Sequence, residues 1–220
     1  MSGDRLSSLQ WRVLRILAGL QPPYTLTAGA ALAGVHLGHR VTRDLDLFWR
    51  GLRDLGSIPR QVESALVAEG LSAEPVQTSP PFCRLRVSEG KETCFVDLVA
   101  EPVPALEAPA QLRVQGVSIA VDTAHEILVN KLCALLSRSE LRDLVDVRAL
   151  LDSGEDLRRA LADAPRKDSG FSPLTLAWVL KGLDPRVMAG ALGWAAAEAE
   201  KLERFRLELI EKILSVATPE

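Results

Sequence analysis

The spacing of apolar residues in the first 50 positions changes between helical and strand-like. Residues 5–20 place Leu, Val and Ile side chains at intervals of three and four, which predicts a helix that the prolines after Gln21 bring to an end. Polar and apolar residues alternate over 44–49, which is typical of a strand with one buried face. Between these segments the sequence predicts, in order, a short strand, a turn and an Ala- and Leu-rich helix, over residues 24–27, 28–29 and 30–37.

The following seventy residues add one helix and several strands. A helix is predicted over 59–70, which has Pro at its start and Gly at its end. Two alternating runs, 82–87 and 93–99, are separated by the segment SEGKE and predict a β-hairpin. Residues 112–121 predict either a further strand or a small hairpin around Gly116.

From residue 123 onwards the pattern predicts helices alone. They are expected over residues 123–136, 139–152, 155–163, 173–182, 185–192 and 195–215. The change near residue 122 predicts an α+β fold class in two domains. Residues 1–122 form a mixed β-sheet with flanking helices, and residues 123–220 form a helical bundle.

The composition fits a soluble globular protein, with 47% hydrophobic and 25% charged residues among 220. No uncharged apolar run approaches the about 20 residues that span a bilayer, so no membrane contact is expected. The three cysteines, Cys83, Cys94 and Cys133, lack metal-ligand spacing, and we expect them to be reduced in a cytoplasmic protein. Cys83 and Cys94 either face each other across the predicted hairpin or are unrelated core residues.

The formal net charge of −3 is unevenly distributed. The first 60 residues contain eight Lys or Arg against four Asp or Glu, while the remainder is acidic. A basic segment attracts phosphate groups. Chance and solvated helix faces account for the excess equally well.

Three acidic residues form the candidate catalytic centre. Asp44 and Asp46 are two positions apart on a predicted strand, so their side chains share one face. Two neighbouring carboxylates repel each other unless a cation lies between them, and magnesium prefers such oxygen ligands. Asp97, within an otherwise apolar predicted strand, is the candidate third ligand, since a buried carboxylate needs a partner or a metal.

Gly29 lies where a predicted strand meets a predicted helix. A residue without a side chain lets the backbone approach a triphosphate, and the amides at a helix N-terminus favour anions. Neither this glycine nor a pair of aspartates is specific alone. Their combination, with about fifteen residues between Gly29 and Asp44, is much more specific.

The segment GAALAGVHLGHRVTRDLDLF carries a resemblance to a known family. It resembles the Gly-Gly or Gly-Ser turn and D-x-D strand of DNA polymerase β-like nucleotidyltransferases. It is more narrowly similar to the AbiEii/AbiGii-type toxins of type IV toxin–antitoxin systems. The positions that match this family in register are Leu37, Gly38, His39, Arg40, Thr42, Asp44, Asp46 and Phe48.

A second segment, EILVNKLCALLSRSELRDLVDVR, is similar to another region of the same family. Its matching positions are Lys131, Arg138, Arg142, Asp143 and Asp146. The resemblance covers about residues 24–150. It departs from the family at Ala28, which replaces the first glycine of the usual pair, and this puts the geometry of the turn in doubt.

The resemblance implies a nucleotidyltransferase-like sheet and a magnesium-dependent nucleotidyltransferase. Asp44, Asp46 and Asp97 would bind Mg²⁺, and Asp97 would also help to deprotonate an acceptor hydroxyl. The helical domain would contribute Lys131, which neutralises triphosphate charge, and Asp143, which orients Lys131 or the incoming group. The residues expected to contact the nucleoside triphosphate (NTP) are Ala28, Gly29, Arg40 and Lys131.

The same resemblance implies a toxin that transfers nucleotides to RNA such as tRNA, together with a cognate antitoxin protein. Two alternatives remain open at the level of sequence. One is a nucleotidyltransferase for a small molecule such as an aminoglycoside. The other is a catalytically degraded module that binds a nucleotide or a partner, which Ala28 makes conceivable.

Overall fold

The computed structural model describes residues 6–114 and 116–217. The chain divides into two compact units, one ending at Thr123 and the other beginning at Ala124. The outer ends of the two predicted domains, 1–5 and 218–220, lie outside the described residues, as does Arg5, where the sequence predicts the first helix to begin.

A mixed seven-stranded sheet forms the centre of the first unit within the described ranges. The strands are β1 (Thr25–Thr27), β2 (Asp44–Arg50), β3 (Ser72–Ser79), β4 (Phe82–Glu89), β5 (Glu92–Glu101), β6 (Ala110–Val114) and β7 (Val117–Val121). They lie in the order β3-β4-β5-β2-β1-β7-β6. The neighbours β2 and β5 are parallel, as are β1 and β7, and the remaining pairs are antiparallel.

The helices of the first unit pack on the apolar face of this sheet. They are α1 (Ser8–Leu17), α2 (Ala28–Ala31), a π-helical turn (Leu32–His36) and α3 (Ile58–Ala68). A capping box between Ser7 and Gln10 fixes the start of α1. α1 contacts β5, α3 contacts β3, and the two helices contact each other. Leu45, Leu47 and Val96 are fully buried on the sheet, because the period-two alternation directs them to one face.

Three local features of this unit differ from the sequence predictions or decide between alternatives. β3 was not predicted, since Ala73 is its sole buried residue and no apolar alternation marks it; backbone pairing with β4 holds it in place. Residues 112–121 form the hairpin alternative, with Gly116 at a φ of 89°. The suggestion that Cys83 faces Cys94 is wrong, because their register partners are Leu98 and Val87.

The second unit is helical throughout its described part. Its helices are α4 (Ala124–Arg138), α5 (Leu141–Asp152), α6 (Leu157–Asp163), a 3₁₀ turn (Ala164–Arg166), α7 (Pro173–Gly182), α8 (Pro185–Ala191) and α9 (Ala196–Ala217). α9 packs against α7 and α8, and α4 packs against α5, α6 and α7. The predicted α+β class, with a mixed sheet followed by helices, is confirmed. Among the described residues, no helix combines the length and apolar character that crossing a bilayer requires.

Candidate active site

A row of polar side chains crosses four neighbouring strands on one face of the sheet. Thr27 on β1 is the register partner of Asp46 on β2, and Asp46 is the partner of Asp97 on β5. Asp97 is in turn opposite Arg84 on β4. Because register partners project from the same face, the sheet places these four side chains side by side.

Asp44 lies on the same face as this row, one pleat before Asp46. Its partner on β5 is Phe95, and both aspartates of β2 are half-buried. The intervening Leu45 is fully buried on the opposite face. The strand therefore places Asp44, Asp46 and Asp97 on one face of two adjacent parallel strands.

Asp97 is the most enclosed of the three acids and is bound to a residue that the sequence analysis missed. It is 7% exposed, and Arg84 donates to both of its oxygens, from Nε at 2.7 Å and from Nη2 at 2.6 Å. The guanidinium also lies over the Phe95 ring, 5.5 Å from its centroid. The alternating pattern of β4 indicates the face of the strand on which Arg84 lies. Its pairing with Asp97 depends on the register between β4 and β5, which only the folded structure shows.

All three acids affect the pKa of Arg84. The pKa of Arg84 is raised, first by its hydrogen bonds to Asp97, against the opposing effect of burial, and then by the charges of Asp97, Asp44 and Asp46. The three carboxylates therefore act together on one guanidinium. Chemically, this is an acidic cluster that a cation stabilises.

The donor set of this cluster fits a hard divalent cation, which prefers several carboxylate oxygens. Asp44 and Asp46 lie on neighbouring positions of one strand face. Within the described ranges, no three His, Cys, Asp or Glu side chains already surround a common point. Asp97 instead faces Arg84.

The turn that precedes the acidic strand has an unusual backbone. Ala28 adopts a φ of 50°, in the left-handed region that side chains disfavour. Gly29 is closely covered by Arg40, whose Nη2 would lie 2.7 Å from a Cβ at that position. The hydroxyl of Thr42 lies 3.6 Å from the same point and donates to the Asp44 carbonyl at 3.3 Å. The segment between the turn and β2 therefore folds back over Gly29.

A second buried carboxylate, Asp122, fixes the elements around this turn and was also missed from the sequence. It follows β7 and accepts hydrogen bonds from the Thr27 hydroxyl and from Arg50 Nη2, the latter at 2.5 Å. His36 Nε2 donates to its carbonyl oxygen at 2.8 Å. Asp122 thereby connects β1, the π-helical turn and the end of β2, which frame the Ala28–Gly29 turn.

In the second unit, Lys131 and Asp143 belong to a buried charge cluster between α4 and α5. Lys131 Nζ lies 2.8 Å from an oxygen of Asp143 and 2.8 Å from one of Asp146. Arg138 donates to both oxygens of Asp143, at 2.8 and 3.0 Å. Asp143 thus contacts both the Lys131 ammonium and the Arg138 guanidinium.

The pKa values of this cluster reflect its charge balance. Burial alone lowers the pKa of Lys131, but the charges of Asp146 and Asp143 outweigh it, so that the pKa is raised. Burial raises the pKa of Asp143, and Arg138 and Lys131 together reverse this, so that the pKa is lowered. Both groups are therefore held in their charged forms.

Comparisons with known proteins show the family of the chain. A family model described as "Nucleotidyl transferase AbiEii toxin, Type IV TA system" matches residues 12–215. A search of curated protein sequences finds no significant match.

Two solved structures resemble the chain over most of its length. The nucleotidyltransferase toxin MenT4 from Mycobacterium tuberculosis has 16% sequence identity and a TM-score of 0.63, covering 95% of this chain and 85% of MenT4. JHP933 from Helicobacter pylori has 21% identity and a TM-score of 0.52, covering 96% of this chain and 95% of that one. These likenesses concern the fold, and they confirm the nucleotidyltransferase-like fold class.

Proposed function

Because the chain belongs to the AbiEii family of nucleotidyl transferase toxins of type IV toxin–antitoxin systems, we propose that it transfers a nucleoside monophosphate from an NTP to an acceptor hydroxyl in a magnesium-dependent reaction. The observation that carries the proposal is the register of β1, β2 and β5. It places Asp44, Asp46 and Asp97 on one face, next to the turn at Ala28 and Gly29.

The three carboxylates supply the metal-binding chemistry in this proposal. Asp44 and Asp46 would hold Mg²⁺, with Asp97 as the third ligand once its carboxylate is released from Arg84. When bound, the ion supplies positive charge at the attacking and leaving oxygens of an in-line displacement.

The transfer exchanges one phosphorus–oxygen bond for another. The acceptor oxygen forms a bond to the α-phosphorus, and the bond from this phosphorus to the oxygen bridging the α- and β-phosphates breaks. Pyrophosphate leaves with that electron pair. The hydroxyl proton passes to the Asp97 carboxylate, as the family resemblance implies for the third acid.

The remaining residues are assigned to the NTP. Backbone amides at Ala28 and Gly29, where α2 begins, favour an anionic phosphate, and Arg40 covers this turn with a guanidinium that suits phosphate oxygens. Lys131 is assigned to neutralise triphosphate charge. The fixed position of its ammonium, held by Asp143 and Asp146, supports a positioning role for Asp143.

The acceptor in this proposal is RNA such as tRNA, and a cognate antitoxin protein is the partner. The family description, which names a toxin of a toxin–antitoxin system, supports the antitoxin partner. The basic excess of the first 60 residues, eight Lys or Arg against four Asp or Glu, is of the sign that an RNA acceptor requires.

The experiment is incubation of the full chain with Mg²⁺, one α-labelled NTP at a time, and total RNA or total protein. Label is expected on RNA. Asp46→Asn is expected to lower transfer by more than about 100-fold, since even the outer partners of metal ligands contribute about 10–100-fold. The matched control is Asp54→Asn, an exposed loop aspartate of the same unit, which should retain transfer within about twofold.

Either of two results contradicts the proposal. Full transfer by Asp46→Asn would show that the reaction does not depend on the acidic cluster. If the label appears on protein and not on RNA, the acceptor is a protein, and only the proposed nucleotidyl transfer stands.

A further inference from the structure

Arg84 binds both oxygens of Asp97, the candidate third ligand of a shared cation. Its two N–H groups take one lone pair on each carboxylate oxygen, at 2.7 and 2.6 Å. This bidentate arrangement is the strongest form of an Arg–carboxylate hydrogen bond. A divalent cation that uses Asp97 therefore meets a carboxylate whose two oxygens are already hydrogen-bonded to a guanidinium.

We propose that Arg84 is the internal counter-ion of the acidic cluster, and that Asp97 exchanges this guanidinium for the divalent cation when the metal binds. The inference rests on the proposed function, since it takes Asp97 as a metal ligand. It adds a residue, Arg84, whose charge sets the affinity of the site for the metal.

We expect the exchange because the guanidinium and the divalent ion would be neutralised by the same carboxylates. Arg84 is bound to Asp97, and Asp44 and Asp46 are near enough to act on the same guanidinium. When no metal is bound, the positive side chain of Arg84 neutralises these carboxylates. A divalent ion bound to the same carboxylates would lie close to this positive charge. Like charges in such a site oppose each other, so each cation weakens the binding of the other.

The surroundings of Arg84 allow its guanidinium to move away. The Arg84 side chain is 36% exposed while that of Asp97 is 9% exposed, so the guanidinium reaches solvent without crossing the core.

The neighbouring pair between Arg50 and Asp122 provides a contrast on the same sheet. The Arg50 side chain is 13% exposed and that of Asp122 is fully buried. Asp122 also accepts a hydrogen bond from Thr27. This pair is enclosed and multiply bonded, whereas the pair of Arg84 and Asp97 opens to solvent on the arginine side.

Binding of Mn²⁺ to the full chain without nucleotide, measured by calorimetry and by the loss of the free-ion paramagnetic resonance signal, tests the exchange. Arg84→Gln removes the competing charge and is expected to tighten Mn²⁺ binding about tenfold, within the range of ordinary coupling between two sites. Arg84→Met, which keeps an apolar stem against Phe95, should give the same gain.

Arg86→Gln is the matched control. Arg86 lies two residues further along β4, on the same face, and its side chain is bound to Glu74 at 2.6 Å. Its register partner on β5 is Phe95, and the acid that it faces is Glu74 on β3 rather than a member of the cluster. Mn²⁺ affinity of Arg86→Gln should therefore stay within about twofold of the wild type.

A double variant separates direct exchange from a general field effect. In an Asp97→Asn background the carboxylate that Arg84 holds is gone, so adding Arg84→Gln should change Mn²⁺ affinity by no more than about twofold. Circular dichroism of each variant confirms that the comparison is made between folded proteins.

The outcomes distinguish this inference from the function on which it rests. If Asp46→Asn loses Mn²⁺ binding but both Arg84 variants bind like the wild type, the metal site stands and the exchange is wrong. An equal gain in Arg86→Gln, or an undiminished gain in the Asp97→Asn background, also overturns it. If neither the wild type nor the Arg84 variants bind Mn²⁺, the metal-dependent function itself fails.

Discussion

Ala28 departs from the family resemblance at a position where the backbone has a positive φ. Its φ of 50° is a conformation that glycine adopts readily and that costs an alanine about 1–2 kcal/mol. The family has a glycine at this position, according to the resemblance of the segment. Ala28 therefore adopts, with local strain, a backbone conformation that a glycine would adopt readily.

Ala28→Gly is expected to stabilise the protein by about 0.5–1 kcal/mol. The relief of strain exceeds the added chain entropy of the unfolded state, which is about 0.4–1 kcal/mol for such a change. Urea denaturation measures the free energy of unfolding. The control is Ala31→Gly, a buried alanine with an ordinary helical φ of −63°, which should destabilise by about 1 kcal/mol. Equal destabilisation by both substitutions would contradict the strain at Ala28.

At the scale of elements, the contact between α4 and α5 depends on charge as well as on apolar packing. The sequence predicts that Asp143 and Asp146 share a helix face, because they are three residues apart. That pattern is equally typical of a solvated surface. In the structure both are fully buried against Lys131, since α4 and α5 pack directly on each other.

Lys131→Met is expected to destabilise the protein by about 3–5 kcal/mol at pH 7, because it leaves two buried carboxylates without their ammonium. Thermal and urea denaturation measure the loss. Lys201→Met, which removes an exposed lysine paired with Glu198, should cost less than about 0.5 kcal/mol. A similar small cost for Lys131→Met would show that its ion pairs contribute little.

The pH dependence of this cluster follows from the two pKa shifts. The lowered pKa of Asp143 stabilises the fold above the ordinary aspartate range, and this contribution is lost as the pH falls through the lowered value. The raised pKa of Lys131 stabilises the fold below the ordinary lysine range, and this is lost as the pH rises through the raised value. In Lys131→Met the cost should shrink as the pH is lowered towards 4, since protonation removes the uncompensated charge. A cost independent of pH would contradict this account.

For the whole molecule, the fold and the metal-dependent reaction are expected to be separable. The cores of both units consist of buried apolar side chains, and the buried acids described above have protein counter-ions, such as Arg84 for Asp97 and Arg50 for Asp122. Family membership makes the chain a nucleotidyltransferase. Its ion pairs are expected to make the fold independent of an added cation.

Removal of divalent ions with EDTA is therefore expected to abolish nucleotide transfer while leaving the unfolding midpoint within a few degrees of its original value. Restoring Mg²⁺ should restore transfer. Far-ultraviolet circular dichroism during heating, run beside the transfer assay, measures both effects. Unfolding on chelation would mean that the cation is structural.

The sequence by itself determined most of the helices and strands and the family. Periodicity and turn residues predicted the strand at Asp44, the hairpin that carries Asp97 and each major helix, because these signals are local in the chain. The motif at 29–46 and the region around Lys131 indicated the AbiEii family, which the family match confirms. β3 escaped prediction because an exposed strand carries no apolar alternation.

Only the tertiary structure decided which charges meet. The pairings of Arg84 with Asp97 and of Arg50 with Asp122 join residues 13 and 72 positions apart, through strand register and sheet order. No local pattern encodes such distances, because register is set by the packing of the whole apolar face. The sequence therefore predicted an acidic cluster, and the folded sheet supplied the guanidinium that neutralises it.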